Sequence, residues 1–222
     1  MKFYLLFITL AIFGFQGNAQ TNLQWHFNST GSSNGYVGQM LKFPNGDVLV
    51  KGYNAGGYMD PGIGTSVLNT TVFFARYTPA GNMVFCRPLS YNVSSPSYGT
   101  WMDMDADGNF YYIVRGNGTF DFDPVPGVGE IAIANECLVV KFDSMGIFQW
   151  AIVYSDDFTI YNLITLSDKS IVICGTHEYG TGDLDPGPGS LMINTICMDD
   201  GFASKFDSSG NFISGKQFIR EI

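Results

Sequence analysis

A threefold internal repeat constrains the fold of this chain of 222 residues more than any other feature. Three landmarks recur with separations of 61 to 65 residues: a turn, an Asp-Pro pair, and a basic residue that follows an apolar run. Their positions are Pro44, Ala106 and Ser167; Asp60, Asp123 and Asp185; and Arg76, Lys141 and Lys205. Because three separate landmarks share one period, the sequence predicts three copies of one structural unit.

Each unit is predicted to contain four short antiparallel strands. In the second unit these strands cover 98–105, 109–115, 136–143 and 147–154. The Asp107-Gly108 pair between the first two apolar runs is a strong hairpin signal, and no window has a sustained helical period with caps. An aromatic content of 15% and the 27 glycines also suit short strands with tight turns.

Four short strands repeated at a fixed spacing are typical of a β-propeller blade. The predicted fold is therefore all-β and β-propeller-like, with three four-stranded blades of about 62 residues each. This length exceeds the roughly 40–50 residues of common blades. A long loop between the second and third strands, which carries the Asp-Pro pair, accounts for the excess.

The repeat resembles that of secreted β-propeller repeat proteins common in Bacteroidetes, whose units carry a D-F-D-P-G-P-G loop followed by a K-F/L-D-x-x-G-N-F strand pair. The matching segments here are DFDPVPG (121–127), DLDPGPG (183–189), KFDSMGIF (141–148) and KFDSSGNF (205–212). The first unit departs, because Tyr58 and Met59 precede its Asp-Pro pair. The resemblance covers about 36–218 and implies a propeller fold and export. It leaves the activity open, because one fold serves many functions.

The first 19 residues predict a secretory signal peptide. Lys2 precedes an apolar run from Phe3 to Phe15, and small residues end at Ala19. The alternative is a membrane anchor, but 13 apolar residues are short for a span, which needs about 20. We expect cleavage after Ala19, no further membrane span, and a secreted or cell-surface protein. The chain has a net charge of −9 and no basic cluster, which makes nucleic acid a poor partner.

The mature repeat domain is expected to cover 20–222. Its units are predicted at about 36–90, 98–154 and 158–218, after an N-terminal strand at 21–29 that resembles the fourth strands of the units. Three blades and one strand do not close a ring, since propellers use about 4–8 blades. The sequence therefore predicts an open array or an incomplete ring and favours a fragment of a longer protein. An open ring would expose an edge strand to pairing with another chain.

One group of aspartates matches the start of a calcium-binding loop. The segment DMDADGN contributes Asp103, Asp105 and Asp107, with carboxylates suited to a hard cation. However, Val114 stands where that loop requires a glutamate. The repeat also places Asp107 in a hairpin turn, so the sequence favours a structural turn over a calcium site.

A second group alternates along the repeated loop, so that the two side chains of each pair point to one side of an extended chain. Its members are Asp121, Asp123, Asp183 and Asp185. They could bind calcium together with backbone carbonyls. The alternative is local, because aspartates in turns accept hydrogen bonds from backbone amides. The first unit has only Asp60 at these positions, which favours the structural alternative.

Catalysis has little support in the sequence. The two histidines, His26 and His177, belong to no metalloprotease motif, and nucleophile-elbow, Walker and dinucleotide-binding motifs are absent. Four cysteines could form disulfides in an exported chain or remain buried thiols: Cys86, Cys137, Cys174 and Cys197. Among the tryptophans, Trp101 is the predicted surface residue.

The expected function is non-catalytic binding or display at the cell surface or outside the cell, with a protein or a glycan as the partner and no required cofactor. One alternative is a carbohydrate-binding or carbohydrate-active propeller. The other is an adhesin stabilised by calcium.

Overall fold

The computed structural model describes residues 36–53, 57–58, 67–68, 72–93, 101–123, 129–178, 180–196 and 199–219. These residues form sixteen β-strands and no helix, so the all-β prediction is confirmed. Across the same residues there is no helix with the length and apolar character to cross a membrane. The predicted signal peptide at 1–19 and the N-terminal strand at 21–29 lie outside the described residues.

The strands fall into three groups that match the predicted units. Unit 1 contains β1 (Tyr36–Lys42), β2 (Val48–Tyr53), β3 (Gly57–Tyr58), β4 (Val67–Leu68), β5 (Val72–Tyr77) and β6 (Met83–Val93). Unit 2 contains β7 (Met102–Met104), β8 (Phe110–Asp121), β9 (Glu130–Phe142) and β10 (Phe148–Tyr154). Unit 3 contains β11 (Phe158–Thr165), β12 (Ile171–His177), β13 (Gly180–Asp183), β14 (Met192–Thr195), β15 (Asp200–Phe206) and β16 (Phe212–Phe218).

Each unit has a four-stranded antiparallel sheet, as predicted. The strand orders are β1-β2-β5-β6, β7-β8-β9-β10 and β11-β12-β15-β16. The first two sheets join into one, because the end of β6 pairs with the end of β8 from Ser90↔Asp121 to Val93↔Gly118. The third sheet pairs with neither.

The same tight turn occurs twice in every unit. In the turn that begins at Asp105, the Gly108 amide donates to the Asp105 carbonyl at 3.0 Å, and the Asp105 amide donates to the Asn109 carbonyl at 2.9 Å. The matching turns begin at Phe43, Thr78, Asp143, Leu166 and Asp207. Gly108 has φ +84°, and Lys169 occupies the equivalent position in unit 3 with φ 63°. The predicted turn at Asp107-Gly108 is therefore confirmed.

The segment between the second and third strands of each unit is a hairpin arm, where the sequence predicted a long loop. In unit 3, β13 pairs with β14. In unit 2, β8 and β9 continue past the sheet and pair from Asn117↔Ala134 to Asp121↔Glu130. Unit 1 has the short pair β3 and β4 in this place. In unit 3 the additional length thus forms a paired arm with Asp185-Pro186 at its tip, and the described part of unit 2 is arranged in the same way.

The core lies between the units, whose sheets pack face to face. Phe74 of unit 1 makes edge contacts with Phe110, Tyr112 and Phe142 of unit 2, with ring centroids 5.2 to 5.4 Å apart. On the other side of unit 2, Tyr154 packs on Phe158 of unit 3 at 5.0 Å. The first half of strand β8 is buried from both sides, which its continuous apolar run explains. A smaller cluster buries the opposite face of unit 1.

Candidate functional site

The tip of the arm in unit 3 is built from hydrogen bonds between its aspartates and its own backbone. One carboxylate oxygen of Asp183 accepts from the amides of Asp185 at 3.0 Å and Leu191 at 2.7 Å. Asp185 accepts from the Gly187 amide at 2.8 Å. Burial opposes ionisation of Asp183, but the amide bonds outweigh it and lower the pKa of this carboxyl group. Both aspartates therefore act here as caps for turn amides.

The apolar residue between the two aspartates anchors the tip to the core. Leu184 is fully buried, and its carbonyl accepts from the Tyr154 hydroxyl of unit 2 at 2.8 Å. The Ser204 hydroxyl lies 3.4 Å from the same carbonyl. Burial also raises the pKa of Tyr154, which keeps its phenol protonated and available as a donor. Alternation along the extended chain thus turns Leu184 inward and its flanking carboxylates towards the turn.

The arm of unit 2 has the same design over the part that is described. Asp121 accepts from the Asp123 amide at 3.1 Å. Phe122 is buried and stacks on Phe120 and Phe148, with centroids 5.8 and 6.1 Å away. The rest of this tip, 124–128, and Asp60 of unit 1 lie outside the described residues.

The three aspartates of the segment DMDADGN (103–109) make three different contacts. Asp105 accepts from the amides of Asp107 and Asn109, each at 3.0 Å, within its own turn. Asp103 accepts from the amide and hydroxyl of Thr165 in unit 3, at 2.6 and 2.9 Å. Asp107 forms an exposed ion pair with Lys169 at 2.6 Å. One carboxylate thus stabilises the turn, while the other two contact unit 3.

Neither group of aspartates forms a cluster of metal ligands. Within the described ranges there is no group of three or more His, Cys, Asp or Glu side chains that could hold a metal ion. One oxygen of each of Asp103, Asp105 and Asp183 instead accepts hydrogen bonds from backbone or hydroxyl donors.

His177 is buried at the base of the arm in unit 3. The sequence did not predict this burial. Its Nδ1 lies 2.9 Å from the Thr195 hydroxyl, and its Nε2 has no hydrogen-bond partner among the described residues. Burial lowers the pKa of His177, and the charges of neighbouring acidic groups only partly oppose this shift. A Cβ at Gly182 would lie 2.3 Å from Nε2, so glycine is required there.

Cys137 and Cys174 are free thiols, which excludes a disulfide between them. Cys137 is buried, and burial raises the pKa of its thiol. Cys86 is half-buried and Cys174 is exposed. Cys197 lies outside the described residues, so whether it forms a disulfide stays a prediction.

Hydrogen bonds between neighbouring units recur at equivalent positions. Gln39 of unit 1 donates to the Met102 carbonyl at 2.9 Å. The predicted surface residue Trp101 is 38% exposed, and its indole N–H donates to the Leu163 carbonyl at 2.8 Å. Residues 39 and 101 occupy the same place in their units, so side chains of different chemistry make the same contact.

A second recurring bond explains the basic residues of the repeat. Arg76 donates to the Ser144 carbonyl of unit 2 at 2.7 Å, and Lys141 donates to the Ser208 carbonyl of unit 3 at 2.6 Å. Each carbonyl belongs to the second turn of the following unit. The even spacing of the basic residues was visible in the sequence, but only the structure reveals that they connect consecutive units.

The sheet face of unit 3 that points away from unit 2 has no neighbour among the described residues. We call it the outward face, and it comprises Asn162, Ile164, Val172, Cys174, Ala203 and Lys205. Two shallow depressions with volumes of about 260 and 270 Å³ meet there at Val172. Across the described part of the chain, Lys205 pairs with Asp168 of its own unit at 3.2 Å.

The arm tips and the outward face are the two sites of interest in this arrangement. The first contains carboxylates that contact the chain's own amides, and the second contains side chains equivalent to those that connect the other units. Comparison with known proteins yields no matching family model and no significantly similar curated sequence.

Proposed function

We propose that this protein is a secreted, non-catalytic scaffold of β-propeller-like units that binds a partner at the cell surface or outside the cell. One observation carries the proposal: the repeated aspartates cap turns and contact neighbouring units. Asp183 and Asp105 each accept two backbone amides, and Asp103 accepts two donors from Thr165. Carboxylates with these partners serve the architecture, whereas a general acid or a nucleophile must reach a substrate.

The recurring contacts support the propeller-like arrangement. Consecutive four-stranded sheets pack face to face through aromatic side chains. The bonds from Arg76 and Lys141 repeat at the same positions of consecutive units. Stacked antiparallel sheets with repeated contacts are typical of propeller blades. Export rests on the sequence pattern of the first 19 residues.

A hydrolysis screen on the purified mature protein tests the absence of catalysis. We expect no turnover of a panel of plant, algal and host polysaccharides. Turnover that disappears in Asp183→Asn, while Asp207→Asn retains it, would overturn the proposal. Asp207 is a matched control, because its carboxylate also accepts amides within a tight turn, from Ser209 and Asn211.

Glycan binding without turnover is the second candidate. Tyr161 is 57% exposed and Trp101 is 38% exposed, and both lie on the first-strand side of their units. Exposed aromatic rings of this kind provide apolar faces on which a sugar can stack. A glycan array with Tyr161→Ala and Trp101→Phe as variants tests this candidate, which predicts weaker binding for both. Binding that both variants leave unchanged would contradict it.

A further inference from the structure

We propose that the arm of unit 3, formed by β13 and β14, is a pH-sensitive element that detaches from the core at mildly acidic pH, with His177 as the group that takes up the proton. The proposal concerns a conformational change and does not depend on which ligand the protein binds. It rests on the position of one buried imidazole ring between both strands of the arm and the main sheet of unit 3.

The ring of His177 contacts both strands of the arm. His177 is the last residue of β12 and is fully buried. Its Nδ1 lies 2.9 Å from the hydroxyl oxygen of Thr195, the last residue of β14. Its Nε2 faces Gly182 of β13, where an added Cβ would lie 2.3 Å away. Both of these arm residues are uncharged. Phe158 of β11 packs on the ring with the two centroids 4.5 Å apart, so the arm closes over the imidazole.

The closed arrangement suits a neutral imidazole better than a charged one. A neutral ring has one N–H, and Nδ1–H can donate to the Thr195 hydroxyl while Nε2 remains an acceptor. A protonated ring has two N–H donors, but Nε2 of His177 has no hydrogen-bond partner among the described residues. A buried donor without an acceptor is destabilising. Protonation therefore favours a conformation in which the arm has moved and Nε2 reaches water.

Three acidic residues lie around the ring. Asp157 precedes β11, Glu178 follows His177 in the chain, and Asp200 of β15 pairs with His177 across the sheet. Their charges favour protonation, but burial has the larger effect and lowers the pKa of His177. The β16 side chain in this network is the neutral Gln217, which donates to Asp200 at 2.8 Å. His177 thus binds a proton less tightly in the closed arm than in water, which couples opening to proton uptake.

The arm can move without disturbing the main sheet. Within the described residues β13 and β14 pair only with each other, whereas β12 pairs along its length with β11 and β15. A lone two-stranded hairpin is marginally stable in water, so the arm depends on its contacts with the core. These include the buried Leu184, whose carbonyl accepts from Tyr154, and the bond from Gln217 to the Asn194 carbonyl. Loss of these contacts is a local opening, which needs less free energy than unfolding of the unit.

The arm of unit 2 provides an internal control. Counted from the first residue of each strand, Phe110 in β8 and Ile171 in β12, the place of His177 is occupied by Gly116. No side chain titrates at that position. Mild acid should therefore loosen the arm of unit 3 and leave the arm of unit 2 unchanged.

Hydrogen exchange measured by mass spectrometry at pH 7.5 and 5.5 tests the proposal on the purified protein, with rates corrected for the intrinsic pH dependence of exchange. We expect the protection of amides in 180–195 to fall roughly tenfold between these values, because a histidine in water has a pKa of about 6.5 and is mostly protonated at pH 5.5. Amides of the unit 2 arm, at 117–121 and 130–134, should keep their protection.

Two variants separate proton uptake from packing. His177→Gln keeps a hydrogen-bonding side chain that does not titrate, so we expect equal protection of the arm at both pH values. Thr195→Val removes the partner of Nδ1 but keeps the ring, so protection should be lower at both pH values while the roughly tenfold dependence remains. An equal loss of protection in both arms would overturn the proposal, as would a pH dependence that persists in His177→Gln. Unchanged protection of 180–195 in the unmodified protein overturns it even if a variant fails to fold.

Discussion

Units 2 and 3 have the same strand order and the same turns, but among the described residues only unit 2 is covered on both sides. Tyr111 of unit 2 is fully buried between Lys141 and Trp150, whose charged and indole groups lie 5.4 and 5.8 Å from its ring. Val172 has the equivalent place in unit 3 and is only half-buried. One repeat pattern therefore produces two environments, and the neighbouring unit determines which one a residue experiences.

The comparison also separates two roles for the basic residue of the repeat. Lys141 is 8% exposed and donates to the next unit, and burial lowers the pKa of its ammonium group. The side chain of Lys205 is 30% exposed and pairs with a carboxylate of its own unit. The same residue type thus makes an inter-unit bond where a neighbour is present and a surface ion pair where none is described.

Truncation of the aromatic core between units should have the largest effect. Phe74→Ala removes a fully buried ring that contacts Phe110, Tyr112 and Phe142, so we expect a loss of about 3–5 kcal/mol in the free energy of unfolding. Ile213→Ala is the control, because Ile213 of unit 3 is 51% exposed, and we expect a change of ~0.5 kcal/mol or less. Denaturant unfolding measures both values. Equal losses of unfolding free energy would mean that strand β16, which carries Ile213, is as well packed as the core.

Removal of the ammonium group should affect unit 2 more than unit 3. Lys141→Met keeps the apolar stem but loses the bond to the Ser208 carbonyl. The variant also no longer buries a charge, which offsets part of this loss, so we expect the free energy of unfolding to fall by about 1 kcal/mol. Lys205→Met loses only a surface ion pair, so we expect a smaller change. Chemical denaturation of the two variants, at a concentration where the chain is monomeric, compares them directly. A larger loss in Lys205→Met would contradict the difference between the units.

The periodic part of the fold could be predicted from the sequence. The spacing of the landmarks indicates the number of units, and the Asp107-Gly108 turn lies where the sequence predicted it, because short turns depend on local residue chemistry. The sequence did not predict the hairpin arms, since their strands in unit 3 are only four residues long and two of the four residues of β13 are glycines. Short strands of this kind are held by the rest of the unit, which a local pattern does not reveal.

The candidate site was harder to predict because its contacts connect distant parts of the sequence. The aspartate pairs were correctly located, and the capping of neighbouring amides follows from local chemistry. The bonds from Thr165 to Asp103 and from Lys141 to Ser208 span 62 and 67 residues. Only the packing of one unit on another brings these groups together. The burial of His177 likewise depends on an arm that the sequence did not predict.

A dependence of stability on pH should arise in unit 3. Burial lowers the pKa of His177, so the folded state takes up this proton at a lower pH than an unfolded chain, in which histidine is protonated near pH 6.5. Below that value the unfolded state binds more protons, so the free energy of unfolding should fall as the pH decreases between about 7 and 5.5. His177→Gln should reduce this slope, because it removes the titrating group. A slope that the variant leaves unchanged would assign the effect to other groups.

The smallest predicted effect concerns a turn in which units 2 and 3 differ. Lys169 adopts φ 63° where Gly108 has φ +84°, a conformation that is unfavourable for residues with a Cβ. Lys169→Gly should therefore raise the melting temperature slightly. Glycine adopts this φ without strain, and this gain should exceed the loss of the exposed ion pair with Asp107. Gly108→Ala should lower it, since the added Cβ would lie 2.9 Å from the ring of Phe43. Differential scanning calorimetry compares the two. A lower melting temperature for Lys169→Gly would show that the ion pair between the turns contributes more than the backbone strain.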